Sequence, residues 1–192
     1  MKKLIFTLVL SVGVLTSVVA QEAGNMWVGG SIGLSHTKKD FNGAETKNTN
    51  VKFMPEFGYV LSENLAIGAN LGYARFSGGS ELMGMDFSDK TDVFEIKPFL
   101  RYTFLKGNLG ALFFDGGVGY TYAKEKNNDD KMNAFEVGLR PGVAFNVSDK
   151  ITLTGKFGFL GYQHAKMGDI KSDYYGFDFD FTQFTLGAAY NF

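Results

Sequence analysis

Apolar side chains occur at every second position in eight segments of the chain. In the clearest segment, residues 135–147, large apolar residues at odd positions alternate with charged or small residues at even positions. The eight segments are residues 27–36, 51–61, 65–76, 94–104, 112–122, 135–147, 151–159 and 183–192. A period of two predicts β-strands, and these lengths are close to the about 9–11 residues with which a strand crosses a bilayer.

The two faces of these strands differ in a way that a soluble protein does not explain. One face is large and apolar, whereas the other is charged, small or glycine-rich. A soluble sandwich places its apolar face inside and its charges outside, but a face so rich in glycine and in both signs of charge fits the crowded lumen of a narrow barrel. We therefore expect the apolar face to contact lipid.

The connections between the segments alternate in length. Three are tight, at residues 62–64, 106–108 and 148–150, and four are longer and polar, at residues 38–50, 77–91, 123–132 and 163–182. Outer-membrane barrels have short periplasmic turns and long external loops. The pattern predicts an all-β fold, an eight-stranded antiparallel up-and-down transmembrane β-barrel.

Residues 1–20 have the pattern of a secretory signal peptide. Lys2 and Lys3 precede an apolar run that ends in small residues before Gln21. The alternative is a membrane-anchor helix, but the run is short for a span of about 20 residues and no basic stop-transfer cluster follows it. We expect cleavage after Ala20, a mature barrel domain of residues 21–192, and a location in the cell outer membrane.

The composition argues against a nucleic-acid-binding protein and against stabilisation by disulfides. Without Lys2 and Lys3 the chain has 17 basic and 20 acidic residues, a net charge of −3, so no nucleic-acid partner is expected. The sequence contains no cysteine, and therefore no disulfide stabilises it.

Three prolines repeat along the predicted strands. Pro55, Pro98 and Pro141 are 43 residues apart, and each precedes a tight turn by seven or eight residues. Proline cannot donate a hydrogen bond to a neighbouring strand. We expect a bulge or a missing hydrogen bond near each of them.

The inward face of the barrel carries five basic and four acidic side chains. They are Lys52, Glu56, Glu95, Lys97, Arg101, Asp115, Glu136, Arg140 and Lys156. Eight strands enclose a space just wide enough for side chains, and buried charges must be paired. We expect a salt-bridge cluster that closes the lumen, with Lys97 opposite Asp115 across the tight turn at residues 106–108. The alternatives are a gated narrow conduit and a ligand or proton site.

Catalytic residues are hard to assemble from this sequence. His36 and His164 are the two histidines. Ser35 adjoins His36, but neighbours in a strand point to opposite faces, and the run after His164 lacks a serine. We expect no enzyme activity, no cofactor and no metal site.

The run Lys97-Pro98-Phe99-Leu100-Arg101-Tyr102 and the terminal Leu186-Gly187-Ala188-Ala189-Tyr190-Asn191-Phe192 resemble the small OmpA/OmpX-type barrels. The resemblance is greatest to the outer membrane protein β-barrel domain, or porin family, of Bacteroidetes-like bacteria. It implies a Gram-negative envelope protein that contacts lipid and lipopolysaccharide as a monomer. It also implies that Tyr190 and Phe192 belong to the terminal signal read by the barrel-assembly machinery.

Together these features predict a structural or surface-interaction role, with the loops contacting an unknown extracellular partner. The alternative is a narrow porin or a small-molecule-binding barrel. A soluble lipocalin-like binder is less compatible with the sequence, because it needs an apolar lumen.

Overall fold

The computed structural model describes residues 23–41, 44–77, 80–87, 90–126, 130–178 and 185–192. The predicted signal peptide, residues 1–20, lies outside the described residues. In the described ranges, no helix has the length and apolar character that a membrane span requires.

Twelve strand segments make up the described chain. In chain order they are β1 (Met26–Phe41), β2 (Ala44–Ser62), β3 (Leu65–Ser77), β4 (Ser80–Leu82), β5 (Met85–Phe87), β6 (Lys90–Gly107), β7 (Gly110–Glu125), β8 (Lys131–Asn146), β9 (Ile151–Lys156), β10 (Phe159–Met167), β11 (Ile170–Asp178) and β12 (Thr185–Asn191).

The strands close into an eight-stranded antiparallel barrel, which confirms the predicted fold. The ring runs β1, β2, β3, β6, β7, β8, β9 and β12, and β12 pairs with β1 to close it. Strand β10 follows β9 along the chain and pairs with the upper part of β8 and with β11. Strands β4 and β5 form a separate hairpin between β3 and β6.

The apolar face of the barrel points outward, as predicted. Alternate residues of β6 show the arrangement, since Ile96 and Leu100 are exposed while Phe99 and Arg101 are buried. The aromatic side chains Tyr102 and Phe104 lie on the outer face near the short turn, and Phe94 lies on it near the opposite end. Two aromatic levels of this kind mark the edges of the membrane-facing band.

The seventh strand of the barrel is divided into β9 and β10, and this corrects one part of the predicted pattern. The period of two in residues 151–159 predicts Phe157 and Phe159 on the outer face with Ile151 and Leu153. Instead Gly158 adopts a positive φ of 71° between β9 and β10, a conformation that glycine adopts without a Cβ clash. The alternation restarts after it, so Phe159 is only 9 % exposed and faces the lumen.

Each proline lies where strand pairing is interrupted on one side, which confirms the expected missing pairings. The β2–β3 ladder skips Met54 and Pro55, and the β6–β7 ladder skips Lys97 and Pro98. Pro141 faces the break between β9 and β10, where its carbonyl accepts a hydrogen bond from the backbone of Phe157. The register shifts of the first two ladders lie nearer the short turns, so the prolines mark missing pairings and not bulges.

Candidate functional site

The structure places all nine predicted charged residues along the lumen, where they form two tiers. The lower tier, which we call the floor, consists of Glu56, Arg101, Asp115 and Lys156. The upper tier consists of Lys52, Glu95, Lys97, Glu136 and Arg140. Sequence alone did not separate the two tiers, because height in a tilted barrel depends on the register of every strand.

The centre of the floor is the pair Arg101 and Asp115, on adjacent strands β6 and β7. Arg101 Nε lies 2.7 Å from Asp115 Oδ1, and Arg101 Nη2 lies 2.9 Å from Asp115 Oδ2. This is the two-point geometry in which a guanidinium binds a carboxylate most strongly. Arg101 Nη2 also lies 3.1 Å from Glu56 Oε1, so the pair reaches across the lumen to β2.

Two further groups complete the floor. Lys156 Nζ, on β9, lies 2.6 Å from Glu56 Oε2 and 2.8 Å from Asp115 Oδ2. Trp27 Nε1, on β1, donates to Glu56 Oε1 at 3.0 Å. The floor therefore balances two cations against two carboxylates and, with Trp27, connects five of the eight strands of the barrel.

Aromatic rings surround the guanidinium of Arg101. Its Cζ lies 4.1 Å from the ring centroid of Phe113 and 5.2 Å from those of Trp27 and Phe99. Cation–π contacts of this kind are strongest where water is excluded. Glycines make room for these rings, because a Cβ at Gly58 would overlap the indole of Trp27.

The expected pairing of Lys97 with Asp115 is wrong. Asp115 instead lies opposite Arg101 in the β6–β7 ladder. The prediction centred the turn on Lys106, whereas β6 continues to Gly107 and a register shift between Thr103 and Leu105 moves the pairing further. A change of four residues in register keeps each side chain on its face but gives it a different partner.

The upper tier is a looser arrangement of ions. Lys97 Nζ lies 2.6 Å from Glu95 Oε2 and 3.5 Å from Glu136 Oε1. Arg140 Nη2 lies 2.8 Å from Glu136 Oε1, and Arg140 Cζ lies 4.7 Å from the ring centroid of Phe159. Gln163 also donates to Glu136, at 3.3 Å.

An apolar cluster lies at the extracellular end of the lumen. The β4–β5 hairpin turns at Met83 and Gly84, both with positive φ, and its Met85 and Phe87 are buried. These two side chains pack with small and apolar residues of the barrel wall, namely Ala74, Val93, Ala123, Met132, Ala134 and Ala165. We call the β4–β5 hairpin the cap.

The cap is a correction to the sequence prediction, which places a polar external loop at residues 77–91. The signal was present, since Leu82, Met83, Met85 and Phe87 are unusually apolar for such a loop. A two-residue turn of positive φ between two short alternating runs is typical of a β-hairpin.

A chamber of about 1000 Å³ lies between the floor and the cap. Its lining includes Leu82 and Met83 of the cap, all of the upper tier, and Glu56, Asp115 and Lys156 of the floor. The cavity on the other side of the floor, lined by Trp27 and Arg101, measures only about 60 Å³. The lumen is therefore wide above the floor and narrow below it.

A separate ion pair lies beyond the aromatic level at the extracellular end of β3 and β6. Arg75 Nε lies 2.6 Å from Asp92 Oδ1, and the Tyr73 hydroxyl donates to the same oxygen at 3.0 Å. The hydrogen bond from Arg75 lowers the pKa of the Asp92 carboxyl, because it stabilises the ionised form.

The histidine considered for catalysis lies on an exposed hairpin. His164 Nδ1 lies 2.8 Å from Asp173 Oδ1, and the Tyr162 hydroxyl donates to that same oxygen at 2.6 Å. Across the described ranges, no three His, Cys, Asp or Glu residues lie close enough together to hold a metal ion. The side chain of His36 lies outside the described part, and the absence of enzyme activity stays a prediction.

The terminal residues of the predicted assembly signal lie on the closing strand. The backbones of Met26 and Phe192 exchange two hydrogen bonds of 2.9 Å. Tyr190 and Phe192 are exposed on the outer face, with ring centroids 6.3 Å apart. Their recognition by the assembly machinery stays a prediction.

A closed antiparallel barrel of eight strands, with an apolar exterior and a charged lumen, is the architecture of an outer-membrane β-barrel protein. The family described as "Outer membrane protein beta-barrel domain" matches residues 4–192. The chain belongs to that family, and it is a protein of the outer membrane.

Solved structures of similar fold agree with this assignment. The outer membrane protein OprG from Pseudomonas aeruginosa aligns with a TM-score of 0.55 and 14% identity, over 92% of this chain and 99% of OprG. Neisserial surface protein A (NspA) aligns with a TM-score of 0.53 and 15% identity, over 88% of this chain and 98% of NspA. At such identities the likeness concerns the fold alone. No curated protein matches the chain in sequence.

Proposed function

We propose that this protein is a non-conducting outer-membrane barrel, in which the floor closes the lumen and the extracellular hairpins form a contact surface. The observation that supports closure of the lumen is the floor itself. Four side chains from β2, β6, β7 and β9 neutralise one another within ion-pair distance across the lumen.

Packing around the floor supports the same proposal. Glu56, Arg101 and Asp115 are each at most 8 % exposed, and Phe113 is 1 % exposed. An ion needs a continuous polar path, whereas here charged groups are bound to each other and aromatic rings surround the guanidinium. Ion pairs between side chains that are this well buried are strong while every partner remains.

The contact surface is proposed on the β10–β11 hairpin. Strand β10 continues beyond β9 and pairs with β11. In this hairpin Ile170, Tyr175 and Phe177 are highly exposed. Exposed aromatic side chains are enriched where proteins bind partners. An extracellular partner, together with lipid and lipopolysaccharide around the barrel, completes the proposed setting. Cleavage of the signal peptide after Ala20 and a monomeric barrel belong to the same proposal.

Liposome swelling tests closure. Vesicles containing the folded protein are diluted into an isotonic solution of arabinose, and swelling is followed by light scattering. We expect the rate of protein-free vesicles. A rate that rises with the amount of folded barrel would overturn the proposal in favour of a narrow porin.

A small-molecule-binding barrel is the second candidate, and one observation favours it. The chamber above the floor has the volume of a ligand pocket, and such pockets measure about 300–1,000 Å³. A closed floor and an occupied chamber are compatible with each other.

A further inference from the structure

The charges of the chamber are not balanced in the way those of the floor are. The upper tier has three cations, Lys52, Lys97 and Arg140, against the two carboxylates Glu95 and Glu136. The floor below it is neutral. Among the described residues that line it, the chamber therefore carries one positive charge in excess.

We assign this excess positive charge to the side chain of Lys52. Among the described residues, no carboxylate lies within ion-pair distance of its ammonium group, whereas Lys97 and Arg140 each contact Glu136. Lys52 is half-buried on β2 and lines the chamber. Glu95 attracts the ammonium group from beyond ion-pair distance, but a half-buried charge with no directly bound partner is costly, so the site favours an additional anion.

Arg140 supplies the second half of the site. Its described hydrogen bond uses one N–H, from Nη2 to Glu136, and a guanidinium has five N–H donors in a planar fork. The ring of Phe159 packs against the guanidinium, with Arg140 Cζ 4.7 Å from the ring centroid. A planar fork of this kind matches a carboxylate, which accepts two parallel hydrogen bonds.

The volume of the chamber decides between an inorganic ion and an organic one. A single halide would occupy a small part of about 1000 Å³, and most of the chamber would remain for water. We infer that the chamber binds a small organic molecule with one carboxylate, held by Lys52 and Arg140. This inference depends on the proposed function only because the floor forms the lower wall of the chamber.

Among the described residues, one side of the chamber has no strand pairing across it, and we place the entrance for such a molecule there. Strand β1 pairs with β12 only from Trp27 to Gly30, and among the described residues Thr185 to Gly187 pair with β9 alone. Residues 31–33 and 185–187, which have no described pairing with each other, line the chamber. This seam has no described ladder hydrogen bonds to break when a ligand passes.

Calorimetric titration of the folded barrel in non-ionic detergent, at constant ionic strength, tests the inference. The probes are sodium acetate, benzoate and gluconate, with sorbitol as the neutral counterpart of gluconate and sodium chloride as the inorganic anion. We expect saturable binding of at least one carboxylate and none of sorbitol. Saturable binding by none of the three carboxylates, or equal binding of chloride, overturns the inference.

Variants locate the site. Lys52→Gln should weaken carboxylate binding at least tenfold, Lys52→Arg should retain it, and Lys166→Gln, on the exposed β10 extension, should leave it unchanged. Heat-modifiable gel mobility verifies folding of each variant. Binding that survives Lys52→Gln unchanged contradicts the assignment.

The two proposals fail separately. If the wild type is permeable in liposomes but binds a carboxylate in a Lys52-dependent way, closure is wrong and the site stands. If the wild type is impermeable and binds none of the probes, the site is wrong and closure stands.

Discussion

Arg101 and Asp115 face each other across the β6–β7 ladder and are joined by two parallel hydrogen bonds of 2.7 and 2.9 Å. Each also contacts a third charged residue, Glu56 in one case and Lys156 in the other. The pair therefore anchors a four-membered network, and loss of either member leaves the rest with unequal charge.

Removing one member of this pair should be strongly destabilising. Asp115→Ala leaves two cations against Glu56 alone, and breaking a buried pair costs about 3–5 kcal/mol. The free energy of unfolding is measured by urea titration in lipid vesicles. Asp149→Ala, in an exposed turn, is the control and should change it by less than about 0.5 kcal/mol.

Removing both members should recover much of that loss. The double variant Arg101→Met with Asp115→Leu keeps the floor neutral, because Lys156 still contacts Glu56 at 2.6 Å. Apolar replacements of a buried pair are often close to neutral in stability. A double variant as unstable as Asp115→Ala would show that the pair itself is needed for folding.

The outer face gives a second prediction. Leu139 lies on the lipid side of β8, and arginine at the bilayer midplane costs about 2–4 kcal/mol. Leu139→Arg should therefore lower the free energy of unfolding in vesicles by that amount. Leu109→Arg, in the turn between β6 and β7, should cost about 0–1 kcal/mol because it lies near the interface. Equal losses in the two variants would place Leu139 away from the hydrocarbon.

Packing around Trp27 gives a third prediction. A Cβ at Gly58 would overlap the indole ring, so Gly58→Ala should displace it from Glu56 and destabilise the barrel by about 1–3 kcal/mol. The emission maximum of Trp27, the single tryptophan, should shift at the same time. Gly107→Ala is the control, since the nearest atom to a Cβ there is 3.9 Å away. An unshifted emission spectrum in Gly58→Ala would mean that the indole has another position.

Acid should weaken the ion pair beyond the aromatic level. The hydrogen bond from Arg75 lowers the pKa of Asp92, so its contribution to stability is complete above the ordinary carboxyl pKa of about 4 and is lost as the pH falls through the lowered pKa. The stability difference between wild type and Asp92→Asn should be constant above about pH 5 and should shrink in more acidic solution. A difference that grows with acid would contradict the assigned direction.

Much of the fold was predictable because the period of two is a local property. Ile96 and Arg101 differ in face whatever the register, so the identity of the lumen residues follows from alternation alone. Their partners do not, because the register of β6 and β7 depends on a two-residue turn at Asn108 and Leu109 and on the shift near Thr103. No property of the sequence around Lys106 fixes that offset.

The break between β9 and β10 and the presence of the cap were not predictable for a different reason. Gly158 reverses the alternation only because its backbone takes a positive φ, and many other glycines of this chain do not. The cap depends on a tertiary contact, since Phe87 becomes buried only when Ala123, Met132 and Ala165 leave space for it in the barrel mouth. Three small or flexible wall residues at one height are not visible in any single segment.

Single-channel recording in planar lipid bilayers tests closure of the lumen most directly. The wild type is compared with a four-serine variant of the floor, with Glu56, Arg101, Asp115 and Lys156 each changed to Ser, after gel mobility has verified folding. No conductance steps are expected from the wild type, whereas discrete steps are expected from the folded variant. Discrete steps from the wild type itself, at a frequency that rises with the amount of folded barrel, would contradict closure of the lumen.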